Sequence, residues 1–262
     1  WHDQCLHHQT YPVRLAPIDQ WRFEERDILW LPSFVHPRDQ AVASIIDSAQ
    51  RYLTCLRDDT TAGFDGYAAY RSDLVGPDRC KGIVDQVRAI WSTILIDKTL
   101  HYINPPPSYS EASQRLRTPS QTIGQGRGTC IDLATLLAAC MEWIDLYPVI
   151  FLMDDHAFPG YWRDLEAYMN FTEPKIQTDP APADCRSTNG DSNLPNNGTT
   201  TFPWYNSRAT YLELRELVND GSLIPIESVC LTNGEGFATA LEVGRRYFES
   251  RLPRSFHSMI DI

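Results

Sequence analysis

The chain has 262 residues, of which 42% are hydrophobic and 22% charged, enough for one large domain or one and a half. Its formal net charge of −11 argues against a nucleic-acid surface, which needs clustered Lys and Arg, and no run of 18 apolar residues is present to span a membrane. The acidic balance fits a soluble protein with a protein or small-molecule partner but selects none.

The chain begins at Trp1 with no basic-then-apolar signal pattern, and reads as a processed or excised segment. Its seven cysteines (Cys5, Cys55, Cys80, Cys130, Cys140, Cys185 and Cys230) form no CxxC pair. An odd, scattered set does not suggest a disulfide framework, so a reducing, cytoplasmic setting is expected. Cys55, Cys140 and Cys230 lie in apolar runs and are expected to be buried thiols. Asn170-Phe171-Thr172 and Asn197-Gly198-Thr199 match the glycosylation sequon, which matters only in a secreted eukaryotic protein.

Residues 1–10, with His2, His7, His8 and Cys5, read as a frayed terminus and not a metal site. Residues 11–30 suggest one or two small strands, so that 1–30 form an N-terminal extension, and Leu31 to Pro37 reads as an extended lead-in. A helix is predicted from about Arg38 to Leu56, where Val42, Ile45, Ile46, Ala49, Leu53 and Leu56 make one apolar stripe. After a polar loop, a second helix is predicted from Pro77 to Thr99, with Pro77 in its first turn. Asn104-Pro105-Pro106-Pro107 stops any helix, and 108–129 read as a long polar loop.

A third helix is predicted from Cys130 to Leu146, with Leu133, Leu136, Leu137, Cys140, Met141 and Ile144 inward and small Ala134, Ala138 and Ala139 allowing close approach. Val149–Met153 reads as a buried strand, and Ala157–Leu165 as the next, starting just after His156. Residues 173–208, rich in Pro, Asn and Thr, read as a flexible surface insertion. A helix is expected over Ala209–Asn219, a strand over Leu223–Val229 with Pro225 marking an edge or bulge, and a last helix over Gly236–Leu252. No internal repeat is present.

The chemistry centres on Cys130. Gly124-Gln125-Gly126-Arg127-Gly128-Thr129 delivers this thiol to the first turn of a helix, whose unpaired N–H groups and partial positive charge favour a thiolate. His156, at the end of the next apolar strand, is placed to take the proton. The N–H of Cys130 is a natural donor to an oxyanion. The alternative is a small apolar residue used for packing, as Cys140 is in the same helix. The glycine run lacks the Lys-Ser/Thr of a P-loop and is not GxGxxG. Glu227, the sole acid in Leu223–Val229, either orients the histidine or points to solvent from an edge strand.

Gly128-Thr129-Cys130-Ile131-Asp132-Leu133-Ala134, then Tyr147-Pro148-Val149, then His156-Ala157-Phe158, resembles the core of the transglutaminase-like superfamily. It is most similar to bacterial transglutaminase-like domains of uncharacterised multidomain proteins. Phe34-Val35-His36-Pro37, Tyr102 with Pro105-Pro106-Pro107, Gln114 to Pro119, Ile226-Glu227-Ser228 and Phe256 to Ile262 extend the resemblance over roughly 11–262, weakest over 173–208.

The resemblance implies an α+β, papain-like fold over 31–262, with the nucleophile-bearing helix packed on an antiparallel sheet and additional N-terminal helices. It implies a Cys130–His156–Glu227 triad, although the third position in this superfamily is usually Asp, often followed by Pro, and is here Glu227-Ser228. Asp132 matches an acid expected to serve the helix start and not the chemistry. An oxyanion-binding amide is expected from Gln114 or Gln125, and Trp162 is a candidate cleft residue with a core role as the alternative. The implied reaction is acyl transfer without a metal or cofactor. A peptidase or isopeptidase acting on a protein or peptide substrate is the first reading, within a larger multidomain protein or complex, away from nucleic acid and membrane. A transglutaminase and a non-catalytic binding module are the alternatives.

Overall fold

The computed structural model describes residues 17–23, 27–105, 113–172, 204–205, 208–249 and 255–262. Strand β1 (Gln20–Arg22) is followed by a 3-10 segment, Ile28–Phe34, so the expected extended lead-in is helical instead. Ile28 and Leu31 explain this, because a 3-10 turn places both in the core. Helix α1 (Gln40–Arg57) starts where the Asp39 carboxylate accepts the N–H of Ala41, and buries the predicted stripe from Val42 to Leu53. Cys55 falls on the other side of that helix and is exposed, which corrects its expected burial. A 3-10 turn, Gly76–Cys80, leads into α2 (Lys81–Asp97), which packs along α1.

The region expected to be a long loop is ordered structure where it is described. Strand β2 (His101–Tyr102) is followed by β3 (Ser113–Arg115), α3 (Pro119–Gln125) and β4 (Arg127–Gly128). Thr118 and Gln121 form a capping box at the start of α3, and Gly126, at φ +63°, ends it in the left-handed region. The glycine run is therefore a helix terminus, not a flexible loop. β3 pairs antiparallel with β1, with Trp21 opposite Gln114, and β4 pairs parallel with β2, with Gly128 opposite Tyr102.

Helix α4 (Cys130–Trp143) is buried on every side from Cys130 to Met141. It lies between α1 and the central sheet, which is why its sequence lacks a polar face. β5 (Pro148–Met153) and β6 (Ala157–Trp162) form a hairpin through the tight turn Asp154-Asp155, closed by the Met153 N–H donating to the His156 carbonyl at 2.8 Å. The second strand stops at Trp162, and α5 (Leu165–Thr172), unforeseen in the sequence, begins where the Asp164 carboxylate accepts the N–H of Ala167.

β7 (Trp204–Tyr205), α6 (Arg208–Asn219), β8 (Leu223–Pro225), α7 (Phe237–Arg246) and β9 (Phe256–Asp261) complete the chain. The expected insertion lies outside the described residues, except that its end supplies β7, which pairs with β9, and the start of α6. β8 is three residues long, and a 3-10 turn, Ser228–Leu231, follows where the rest of the expected strand would lie. Pro225 lies on this edge strand without breaking its ladder, since the Ile226 N–H beyond it still donates to the Pro159 carbonyl at 2.8 Å.

The five-stranded sheet has the order β7-β9-β5-β6-β8, with every pairing antiparallel. Alternation along β5 divides the core into two. Ile150 and Leu152 join the cluster around α1, α2 and α4, while Val149, Phe151 and Met153 join Tyr211, Leu214 and Val218 of α6. Helices thus cover both faces, and β5 is apolar at every position. The architecture is mixed α and β. Among the described residues no helix is long and apolar enough to cross a membrane.

Candidate functional site

The N-terminus of α4 is held by a polar knot. Thr129 caps it, with Oγ1 accepting the N–H of Asp132 at 3.3 Å and the Thr129 N–H donating back to Asp132 at 2.9 Å. The Asp132 carboxylate, 0% exposed, also accepts the backbone N–H of Arg117 at 2.8 Å and its guanidinium at 2.9 Å. Asp132 is thus engaged in fixing the helix start. Gly128 permits the close approach, since a Cβ there would lie 3.2 Å from both Asp132 and Thr122. This knot places Cys130 at the first helical position, 8% exposed.

His156 reaches the same place from the sheet, directly after the Asp154-Asp155 turn. Its Nε2 lies 2.7 Å from Oε2 of Glu227. Glu227 is 4% exposed and caps the 3-10 turn that follows it, Oε1 accepting the N–H of Val229 at 2.9 Å. Its own N–H donates to the carbonyl of Ala240 at 3.0 Å, so α7 locks its backbone. Glu227 is therefore neither on a strand nor at a solvent-facing edge.

Burial pushes the His156 imidazole toward its neutral form. Hydrogen bonds to Cys130 and Glu227, together with their charges, outweigh that effect and raise its pKa to about 10. These influences favour the charged form of the ring. The three groups come from a helix start, a strand start and a turn, and meet at one end of the sheet.

Two tyrosines complete the surroundings. The Tyr247 ring, just past α7, stacks on His156 (centroids 5.7 Å apart, 28° between planes) and on Phe158 (4.7 Å, 29°). Burial, then the charge of Glu227 and a hydrogen bond to it, push the Tyr247 hydroxyl up to about 12. Tyr102, opposite Gly128 across the β2–β4 pair, has its hydroxyl raised by burial and then by the charge and hydrogen bond of the Cys130 thiol. The sequence reading assigned neither a role. Nothing local marks Tyr247, whereas Tyr102 stood within the family resemblance.

A cavity of about 210 Å³ opens beside the thiol, lined by Cys130 and His156 among other residues. Gln114 lines it and donates through Nε2 to Thr129 Oγ1 at 3.2 Å, beside the N-terminus of α4. Gln125 is exposed at the end of α3, where its Oε1 accepts from Arg117 at 3.3 Å, and is not among the lining residues. Trp162 is fully buried against Tyr168 and Phe171 on the opposite face of the sheet, which corrects its placement as a cleft residue. The structure thus gathers Cys130, His156, Glu227 and Gln114, and leaves Gln125 and Trp162 apart. Among the described residues no group of three or more His, Cys, Asp or Glu could hold a metal ion.

Comparison with models of known families, with curated proteins and with solved structures finds no significant match to this chain.

Proposed function

We propose that this chain is a cysteine-dependent acyl-transfer enzyme of papain-like, transglutaminase-like fold that hydrolyses amide bonds of a protein or peptide. The observation that carries the reading is the buried Glu227 carboxylate 2.7 Å from His156 Nε2, with the Cys130 thiol and His156 lining the same cavity. An imidazolium beside the sulfur and the N-terminus of α4 beneath it both favour the nucleophilic thiolate. A packing cysteine needs neither.

In the proposed reaction the Cys130 sulfur attacks the amide carbonyl carbon, and the carbonyl electrons move to oxygen. The Cys130 N–H and the Gln114 amide are the donors near that position. The C–N bond then breaks, with His156 giving its proton to the departing amine and leaving a thioester on Cys130. Water attacks the thioester carbon as His156 takes up its proton, and the C–S bond breaks, releasing the acid and restoring the Cys130 thiolate beside the protonated ring. Glu227 holds the ring and its charge throughout.

Brief alkylation with iodoacetamide at about pH 6, followed by peptide mapping, tests the reading, since an ordinary thiol there is well under a hundredth ionised. Cys130 should be modified before the other six cysteines. The comparison is demanding, because Cys55 is exposed. Burial pushes the thiols of Cys80, Cys140 and Cys230 upward, Cys230 to about 12, so these should be silent. Labelling of Cys55 ahead of Cys130 would indicate a binding module with an inert thiol.

A further inference from the structure

We infer that the cavity beside Cys130 receives a basic side chain, lysine or arginine, of a peptide substrate. The inference rests on the catalytic reading above and names the substrate class for that site.

The cavity has two unlike sides. One is apolar and aromatic, made by Trp21, Phe23, Ile28, Ile131 and Leu152, with the Trp21 and Phe23 rings edge to face at 4.7 Å. The other is the turn Asp154-Asp155, whose two exposed residues lead directly into His156. Neither carboxylate makes an ion pair among the described residues, and no Lys or Arg is among the cavity's described lining. The remaining titratable groups of the lining are the reacting pair Cys130 and His156, which the substrate's scissile bond faces, and His257, whose Nδ1 lies 3.1 Å from the Ser258 hydroxyl.

A lysine or arginine matches both sides with one chain. Its methylene stem lies along apolar surface while its head stays with charge and water, and aromatic rings add attraction for the cation. An acidic side chain entering the same space would face two like charges beside the reacting carbonyl. A purely apolar side chain would use one side alone.

Peptidyl acyloxymethyl ketones, which alkylate a catalytic thiolate irreversibly, test the assignment. Lys, Leu or Glu is placed at each of the two residues nearest the electrophile, and the second-order rate of Cys130 modification is followed by mass spectrometry. At one of these positions the Lys compound should react ~10-fold or more faster than the Glu compound, with Leu between them. In the double variant Asp154→Lys/Asp155→Lys that order should invert. Rates for Lys and Glu within about 2-fold at both positions, with iodoacetamide still choosing Cys130 first, would overturn the pocket assignment alone. An unchanged preference in the double variant would overturn it as well. Failure of iodoacetamide to choose Cys130 would instead remove the catalytic reading, and this inference with it.

Discussion

His156 and Glu227 stand 71 residues apart in the chain, yet their side chains meet at 2.7 Å between Nε2 and Oε2. The other carboxylate oxygen of Glu227 is taken by the Val229 N–H, so the acid has little freedom to turn away. With Nε2 engaged by Glu227, Nδ1 is the ring nitrogen left to serve Cys130. A side chain one methylene longer than aspartate fills this role because it leaves from a turn beyond the end of β8, not from within a strand.

Glu227→Gln keeps an oxygen to cap Val229 and removes the charge facing the imidazole. His156 then loses two of the influences that raise its pKa, the hydrogen bond to the carboxylate and its charge. Alkylation of Cys130 at pH 6 should fall by ~10-fold or more, since each tenfold corresponds to about 1.4 kcal/mol of lost preference for the ion pair. The thermal midpoint should fall only slightly. A Glu227→Gln protein whose Cys130 reacts at the wild-type rate would show that the carboxylate has no part in activating the thiol.

The raised pKa of His156 also sets a pH window for stability. The folded state keeps on this ring a proton that the unfolded chain releases near 6.5, so the folded state binds more protons between those values. The stabilisation from the charged ring is complete below about pH 6.5 and is lost as pH rises toward 10. Urea unfolding of wild type and His156→Gln should therefore give curves furthest apart near pH 6.5 and converging by about pH 10. An NMR titration should find one of the seven histidine rings still protonated at pH 8. If all seven titrate near 6.5, the ion pair does not exist in solution.

Asp132 illustrates a different use of a carboxylate two residues from the thiol. It binds Thr129, the backbone N–H and one guanidinium nitrogen of Arg117, and no part of the cavity. Asp132→Ala leaves the Arg117 guanidinium, 15% exposed, without its carboxylate partner and removes half of a capping box. Breaking a buried pair in this way costs roughly 3–5 kcal/mol. The expected result is a large fall in the urea midpoint. Asp132→Asn, which can still accept from Thr129, should recover part of it. A loss under about 1 kcal/mol for Asp132→Ala would mean that solvent readily replaces the knot.

The parts of this arrangement that were legible in the sequence were those encoded over short distances. The stripes from Val42 to Leu53 and from Ile83 to Ile94 announced α1 and α2, because their periodicity records one buried face. Cys130 at a helix start could be read from Thr129 and the glycines before it. Pairing across the chain was not encoded in this way. Gln114 reaches the cavity beside the thiol through the β1–β3 pair and Gln125 does not, although Gln125 is nearer in sequence. The strand expected over Leu223–Val229 failed because the apolar residues after Pro225 bury themselves in a 3-10 turn, which a period-two pattern does not distinguish. Of the two places open to Trp162, the core is the one it takes, because its side of β6 is covered by α5, a helix that the composition of Leu165–Thr172 did not reveal. The Asp154-Asp155 turn, by contrast, is a plain acidic pair between two apolar strands, and its meaning emerges only when Trp21 and Phe23 are found across the cavity.

Asp261, in β9 beside β5, carries the last prediction. Burial pushes its carboxyl up to about 6, against the opposing hydrogen bonds from Tyr168 and the Ile262 N–H. One oxygen, Oδ1, is buried with no hydrogen-bond partner among the described residues. The sign is opposite to that of a salt-bridged carboxylate. The folded state retains the proton above the ordinary aspartate value, so stability falls as pH rises from about 4 to about 6 and stays reduced above. Asp261→Asn mimics the neutral form in nearly the same volume and offers an N–H₂ in place of a charge. At pH 7.5 it should raise the thermal midpoint above that of the wild type, and at pH 4 the two proteins should unfold together. A wild type that is the more stable of the two at pH 7.5 would mean that Asp261 is ionised and well solvated in the folded chain. The covered end of β9 would then have to admit water.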